Sequence, residues 1–222
     1  FRRELHSFYP DRYTSLFSKH NPIFMTRPKF ALILVCCLSY VWGVSQSEKR
    51  PNVIFIMSDD HAYQAISAYT DKLIETPNID RIAEEGMLFT NACVTNSICA
   101  PSRAVLLTGK YSHRNGLRDN RDEFDGSQTT FPALLQQAGY ETALIGKWHL
   151  KTKPVGFGHW RVLTGQGSYY RPVFSENGVE VEHAGYVTDL ITDFVLEFLT
   201  KRDKEKPFCL LYNHKAPHRN WM

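Results

Sequence analysis

The sequence predicts an α/β fold, with a mixed and largely parallel central sheet flanked by helices. Two patterns carry this reading. Short apolar runs of strand length alternate with segments of helical period. The polar clusters fall just after the apolar runs end, as they do along the C-terminal edge of open α/β sheets. With 43% apolar and 13% aromatic residues among 222, the chain can bury a sizeable core.

Taken in order, Val53 to Met57 is a continuous apolar run closed by Ser58-Asp59-Asp60, as expected of a buried parallel strand. Thr76 to Gly86 reads as a capped helix with Pro77 in its first turn and a closing glycine. Met87 to Val94 is strand-like. Residues 101–108 open a helix, and Thr130 to Ala138 form another, ended by Gly139. Tyr140 to Ile145 returns as a strand and delivers Lys147 and His149 beyond its end. Residues 154–182 are rich in glycine and aromatic residues, among them Gly165, Gly167, Trp160, Tyr169 and Tyr170, and read as a loop and short-strand insertion. Val187, Leu190, Ile191, Phe194, Val195, Phe198 and Leu199 keep the 3.6-residue period of an amphipathic helix. Pro207 to Tyr212 is the next buried strand, with His214 and His218 beyond it.

The net charge of +3 belongs to the N-terminal stretch. From residue 46 onward 20 Lys and Arg face 21 Asp and Glu, so no basic surface argues for nucleic-acid binding. Met25 to Lys29 form a short basic stretch before the mostly apolar Phe30 to Trp42, and Gly43-Val44-Ser45 offers small residues for cleavage. Residues 25–45 therefore read as a signal peptide, too short in its apolar part for a stable membrane span, which predicts export to a periplasmic, extracellular or lysosome-like compartment. Residues 1–24 then precede the mature start. Val35 before Cys36 fits a lipobox poorly. Without the leader, Cys93, Cys99 and Cys209 remain, an odd and sparse set that is not a disulfide framework. Cys93 and Cys209 are expected in the core. The chain opens on Phe1 and stops just after a motif, so residues 51–222 are expected to be a domain truncated at its C-terminus.

Three clusters carry chemistry. Cys99 stands in Ser97-Ile98-Cys99-Ala100-Pro101-Ser102-Arg103, before the apolar run of a helix. It reads as a reactive side chain at a helix mouth, where the positive end favours an anion, or as a small buried cysteine. Asp59 and Asp60 are adjacent carboxylates at a strand end. A hard divalent cation would relieve their repulsion, and a solvated turn or helix cap is the alternative. Lys147 and His149, two residues apart in an extended segment, can point the same way.

Cys99-x-Pro101-Ser102-Arg103 followed by Leu107-Thr108-Gly109 resembles the signature of the type I, formylglycine-dependent sulfatases. Gly139 to Leu150 resembles that family's second signature. Asn52 to His61 is similar to its opening metal-binding strand, and Lys215-Ala216-Pro217-His218 to its Lys-x-Pro-His element. The resemblance spans residues 51–222 and implies the alkaline-phosphatase-like sandwich. It implies that Cys99 is the modified residue, oxidised to formylglycine (3-oxoalanine) by a formylglycine-generating or anaerobic sulfatase-maturating enzyme. It implies Ca²⁺, or Mg²⁺ as in some homologues, held by Asp59, Asp60 and residue 99. Arg103 would orient the formylglycine. Lys147 and His149 would bind sulfate or the formylglycine hydroxyl, and Lys215 and His218 sulfate, with His218 as the acid for the leaving group. His61, whose imidazole is a poor ligand for a hard cation, is expected to support the site or to be structural.

Residues 165–172 and 215–221 are similar to bacterial N-acetylglucosamine-6-sulfatases and mucin-desulfating enzymes, which points to a sulfated glycan as substrate. The family's later metal pair and further sulfate-binding lysine have no counterpart before Met222, so these residues alone are expected to bind metal poorly and turn over little. A phosphatase, phosphodiesterase or phosphonate hydrolase of the same superfamily would show Ser or Thr at position 99, or metal-ligating histidines. An inactive, glycan-binding relative is the third reading.

Overall fold

The computed structural model describes residues 50–70 and 72–220; the leader and the segment before it lie outside these residues. Six strands form one sheet: β1 (Val53–Met57), β2 (Glu141–Lys147), β3 (His159–Leu163), β4 (Val173–Glu176), β5 (Val179–Glu182) and β6 (Phe208–Asn213). Their spatial order is β1-β6-β2-β3-β4-β5. The first four in that order are mutually parallel, and β4 and β5 add an antiparallel hairpin at one edge. The helices are α1 (Pro77–Glu85), α2 (Cys99–Thr108), the single turn α3 (Ser112–Asn115), α4 (Phe131–Gln137) and α5 (Val187–Lys201). This is the mixed, largely parallel sheet with flanking helices that the sequence implies.

Alternation along the central strands sends side chains to two cores. Leu144, Cys209 and Leu211 meet Ala104 and Leu107 of α2, together with Trp148 and Phe157. Ala143, Ile145, Phe208 and Leu210 face the other way, onto Ile191, Phe194, Val195 and Phe198 of α5. With helices on both faces, β2 and β6 are nearly continuous apolar runs, as a two-sided burial requires. Thr130 caps α4 through its side chain, which accepts from Ala133 N–H.

Four expectations are corrected. β1 is not buried on both faces: Ile54 and Ile56 are 49% and 54% exposed, whereas Val53 and Phe55 pack inward. It pairs only with β6 among the described residues, and none of its residues belongs to the core that α5 builds. Met87 to Val94 forms no strand; Met87, Phe89 and Val94 are exposed and the run has no ladder partner among the described residues. Cys93 is accordingly exposed, although Cys209 is buried as expected. Within residues 154–182, β3 is no mere insertion, because it extends the parallel sheet beside β2.

Candidate active site

The ends of β1, β2 and β6 converge on the N-terminus of α2. Asp59, two residues past β1, is 5% exposed. Its N–H donates to Ala216 O at 3.0 Å, and His214 N–H donates to Met57 O at 2.8 Å, which ties the ends of β1 and β6 together. Lys147, the last residue of β2, has no exposed surface. Its ammonium donates to Asp59 Oδ2 and to Gln166 Oε1, the latter at 2.6 Å. Either charge alone would be strongly disfavoured at such burial, and together they neutralise each other.

Gly146 permits this placement. It has φ +108°, and a Cβ there would stand 1.8 Å from Asn213 O. The β2 and β6 backbones approach more closely than any side chain would allow, and Asn213 Nδ2 donates to Lys147 O at 3.1 Å.

Arg103, one turn into α2, is buried and reaches the same place. Its Nη1 donates to Lys147 O at 2.8 Å, and its Nη2 lies 4.0 Å from Asp59 Oδ2. Burial lowers its pKa, and Asp59 opposes that shift. Cys99 is the first residue of α2 and half-buried, so the helix begins two residues earlier than the proline suggests. Asn120 Oδ1 takes the Ala100 N–H at 3.0 Å. The positive end of α2, rather than a ring of free donors, therefore favours an anion at position 99. A cleft of about 380 Å³ opens here, lined by Ser58, Asp59, Asp60, Ser97, Cys99 and Arg103 among others.

Ligand atoms of Asp59, Cys99 and His218 lie within 4.8 Å of one another. His218 Nε2 is 3.6 Å from Asp60 Oδ2, so the expected leaving-group acid sits against the carboxylate pair. Lys215 is buried, with its ammonium 4.8 Å from the centre of the Tyr169 ring. Burial, then the charge of Lys147, lowers its pKa, while Asp59 and Asp60 oppose the shift. His149 sits at φ +58° with a buried Nδ1 that has no partner among the described residues. Burial first, then Lys147 and Arg103, push its pKa down to about 4, so it is neutral at neutral pH. His61 is used locally, bonding Ser58 Oγ at 3.2 Å and Ala65 O at 3.1 Å.

All of the expected site residues thus gather at one end of the sheet. Gln166, Tyr169 and Asn213 join them without having been singled out as site residues. Gly165-Gln166-Gly167 carries the signal of a tight turn for the first, whereas nothing local marks Asn213 beyond its place after an apolar run. The donor set suits a hard cation in part. Asp59 and Asp60 supply oxygen, but the thiol of Cys99 is a soft ligand, and the set becomes uniform only if residue 99 presents oxygen.

Buried Lys147, Arg103 and Lys215 thus stand beside Asp59, Asp60 and the helix-mouth Cys99 at one edge of an α/β sheet. The family model described as Sulfatase matches residues 51–222. An N-acetylglucosamine-6-O-sulfatase of Bacteroides thetaiotaomicron is 54% identical over 207 residues, covering 92% of this chain and 37% of that protein. The human N-acetylglucosamine-6-sulfatase is 33% identical over 215 residues, covering 86% of this chain and 38% of its own length. A solved structure described as a complex with its substrate D-glucosamine-2-N,6-O-disulfate superposes with a TM-score of 0.77 at 58% identity, over 78% of this chain and 36% of that one. The chain belongs to the sulfatase family, and its sheet is part of the alkaline-phosphatase-like fold. It spans little more than a third of the length of these relatives.

Proposed function

We propose that residues 51–222 carry part of the catalytic domain of an exported sulfuric ester hydrolase acting on a sulfated carbohydrate. The lead substrate is 6-O-sulfated N-acetylglucosamine, as the names of the relatives suggest, carried in glycosaminoglycan or mucin glycans. The observation that carries this reading is the meeting of Cys99, at the mouth of α2, with Asp59, Asp60 and two buried lysines.

In this reading Cys99 is matured by a formylglycine-generating or anaerobic sulfatase-maturating enzyme, and residue 99 then supplies an oxygen nucleophile from its hydrate. Asp59, Asp60 and residue 99 would hold Ca²⁺, or Mg²⁺, whose chemistry is to offset negative charge. The chain's own residues do the rest. Lys147 and Lys215 face the sulfate oxygens, and Arg103 fixes the end of β2 against α2 and adds a charge that does not titrate away. His149, neutral at neutral pH, keeps an unused nitrogen for a hydrogen bond to sulfate or to residue 99. His218 protonates the departing sugar oxygen.

Mass spectrometry of the peptide containing Cys99, from full-length protein coexpressed with a maturing enzyme, should show sulfur replaced by oxygen. A panel of sulfated sugars and aryl sulfates should favour 6-O-sulfated N-acetylglucosamine, and Cys99→Ala should abolish turnover. A persistent thiol together with full activity of Cys99→Ala would sink the proposal.

A further inference from the structure

We infer that the turn from Gly165 to Tyr169 positions both lysines of the site, Gln166 acting on Lys147 and Tyr169 on Lys215 and His218. The inference rests on the sulfatase reading above. Gln166 Oε1 accepts from Lys147 Nζ at 2.6 Å. Three residues on, Tyr169 presents its ring face to the Lys215 ammonium at 4.8 Å, and its hydroxyl donates to His218 O. One short turn therefore touches residues delivered by β2 and by the segment after β6.

The turn is itself anchored. Gly167 N–H donates to Thr164 O at 3.1 Å, and Val187 N–H, at the start of α5, donates to Tyr169 O at 2.8 Å. The Tyr169 ring stacks on Tyr186 with centroids 5.9 Å apart. Gly165 and Gly167 sit at φ +61° and +70°, and a Cβ on Gly167 would come within 2.8 Å of Leu163 Cδ1. Only glycine fits this conformation without strain, and the pair aims the Gln166 amide at the buried ammonium.

The chemistry of the two holders is the reason to read them as functional. A carboxylate holds a lysine by cancelling its charge. An amide oxygen and an aromatic face hold it while leaving that charge available to a third group. A site that must bind a sulfate ester needs lysines that are fixed and still cationic. Asp59 draws on the same ammonium as Gln166, so the amide keeps Lys147 in place when Asp59 is engaged elsewhere.

The test uses the full-length matured protein, with inorganic sulfate as the binding probe and a 6-O-sulfated glucosamine as substrate. Gln166→Ala should weaken sulfate binding by about tenfold, the worth of one hydrogen bond to a charged group, and raise KM accordingly. Gln166→Glu discriminates the roles. It restores a bond to Lys147, so a purely structural role predicts recovery, whereas the positioning role predicts sulfate binding weaker still than in Gln166→Ala. Tyr169→Phe keeps the ring and should lower kcat with KM held, while Tyr169→Leu should raise KM as well. Sulfate binding in Gln166→Glu at or above the original level, or unchanged kcat and KM in both Tyr169 variants, would overturn the inference. Lys147→Ala separates the two levels: normal turnover there refutes the sulfatase reading itself. An inactive Lys147→Ala beside fully functional Gln166 variants refutes only the positioning role.

Discussion

Replacing Lys147 with Met removes one member of a buried ion pair and leaves its partner almost without solvent. Lys147 has no exposed surface and Asp59 only 5%, so water cannot take over the role of the ammonium. Breaking such a pair from one side costs about 3–5 kcal/mol. Arg103 moderates the loss. Its Nη2 lies 4.0 Å from the same carboxylate oxygen, and unit charges at that separation attract by about 4 kcal/mol at an effective dielectric constant of 20. We therefore expect the lower end, about 3 kcal/mol, read as a lowered urea midpoint in the presence of a chelator. The double variant Lys147→Met/Asp59→Asn removes both charges and should be more stable than the sum of the single losses. If Asp59 also holds a divalent cation, Ca²⁺ should raise the midpoint of Lys147→Met more than that of the unaltered protein. Strict additivity in the double variant, or a Lys147→Met midpoint equal to the original, would refute the reasoning.

Three further outcomes follow from particular contacts. His149 has a folded pKa of about 4 against an ordinary value of 6.5, so the unfolded chain takes up its proton first. Its contribution is therefore complete above pH 6.5 and lost as pH falls towards 4; because the ring is only half-buried, solvent screening reduces the loss to about 1 kcal/mol between pH 7 and pH 5. Denaturation at those two pH values should show that loss reduced in His149→Asn, and an identical slope in both proteins would count against it. Gly146→Ala places a Cβ 1.8 Å from Asn213 O at φ +108°, and thermal unfolding should register about 3 kcal/mol or more of lost stability; a near-neutral result would contradict the close approach. Burial pushes the Cys209 thiol up to about 11, whereas Cys93 is exposed. Iodoacetamide should label Cys93 in the native protein and reach Cys209 only after denaturation, as peptide mass spectrometry would report.

How much of this was legible in the sequence depends on how local each cause is. Val53–Met57, Glu141–Lys147 and Phe208–Asn213 are apolar runs with polar residues at their ends, and a parallel sheet puts those ends on one edge, so Asp59, Lys147 and His218 could be grouped before any coordinates. Composition could not tell a run with a sheet partner from one without. Val53–Met57 and Met87–Val94 both read as strand-like runs, yet among the described residues only the first finds a ladder. Nor could it tell a strand covered on both faces from one covered on a single face, because Ile54 and Ile56 are no less apolar for being exposed. The contacts of Gln166 and Tyr169 were the least legible. Their partners lie 19 and 49 residues away along the chain, and only the folded turn brings them together.

The same distinction bears on Asp59 and Lys147, which the motifs assign to different tasks, one to a cation and the other to sulfate. In the structure they bond to each other. A divalent cation on the same carboxylate would compete for its negative charge with the ammonium, so the two tasks would be coupled through Asp59. Cation binding at Asp59 would then strengthen the pull of Lys147 on an anion, and an anion on Lys147 would free Asp59 for the cation. Reciprocity makes this measurable in the full-length protein: sulfate affinity should rise with Ca²⁺, and Ca²⁺ affinity with sulfate by the same factor. In Lys147→Met that coupling should vanish while Ca²⁺ still binds. Coupling that survives the substitution would place the link elsewhere, with Arg103 as the remaining cation beside Asp59.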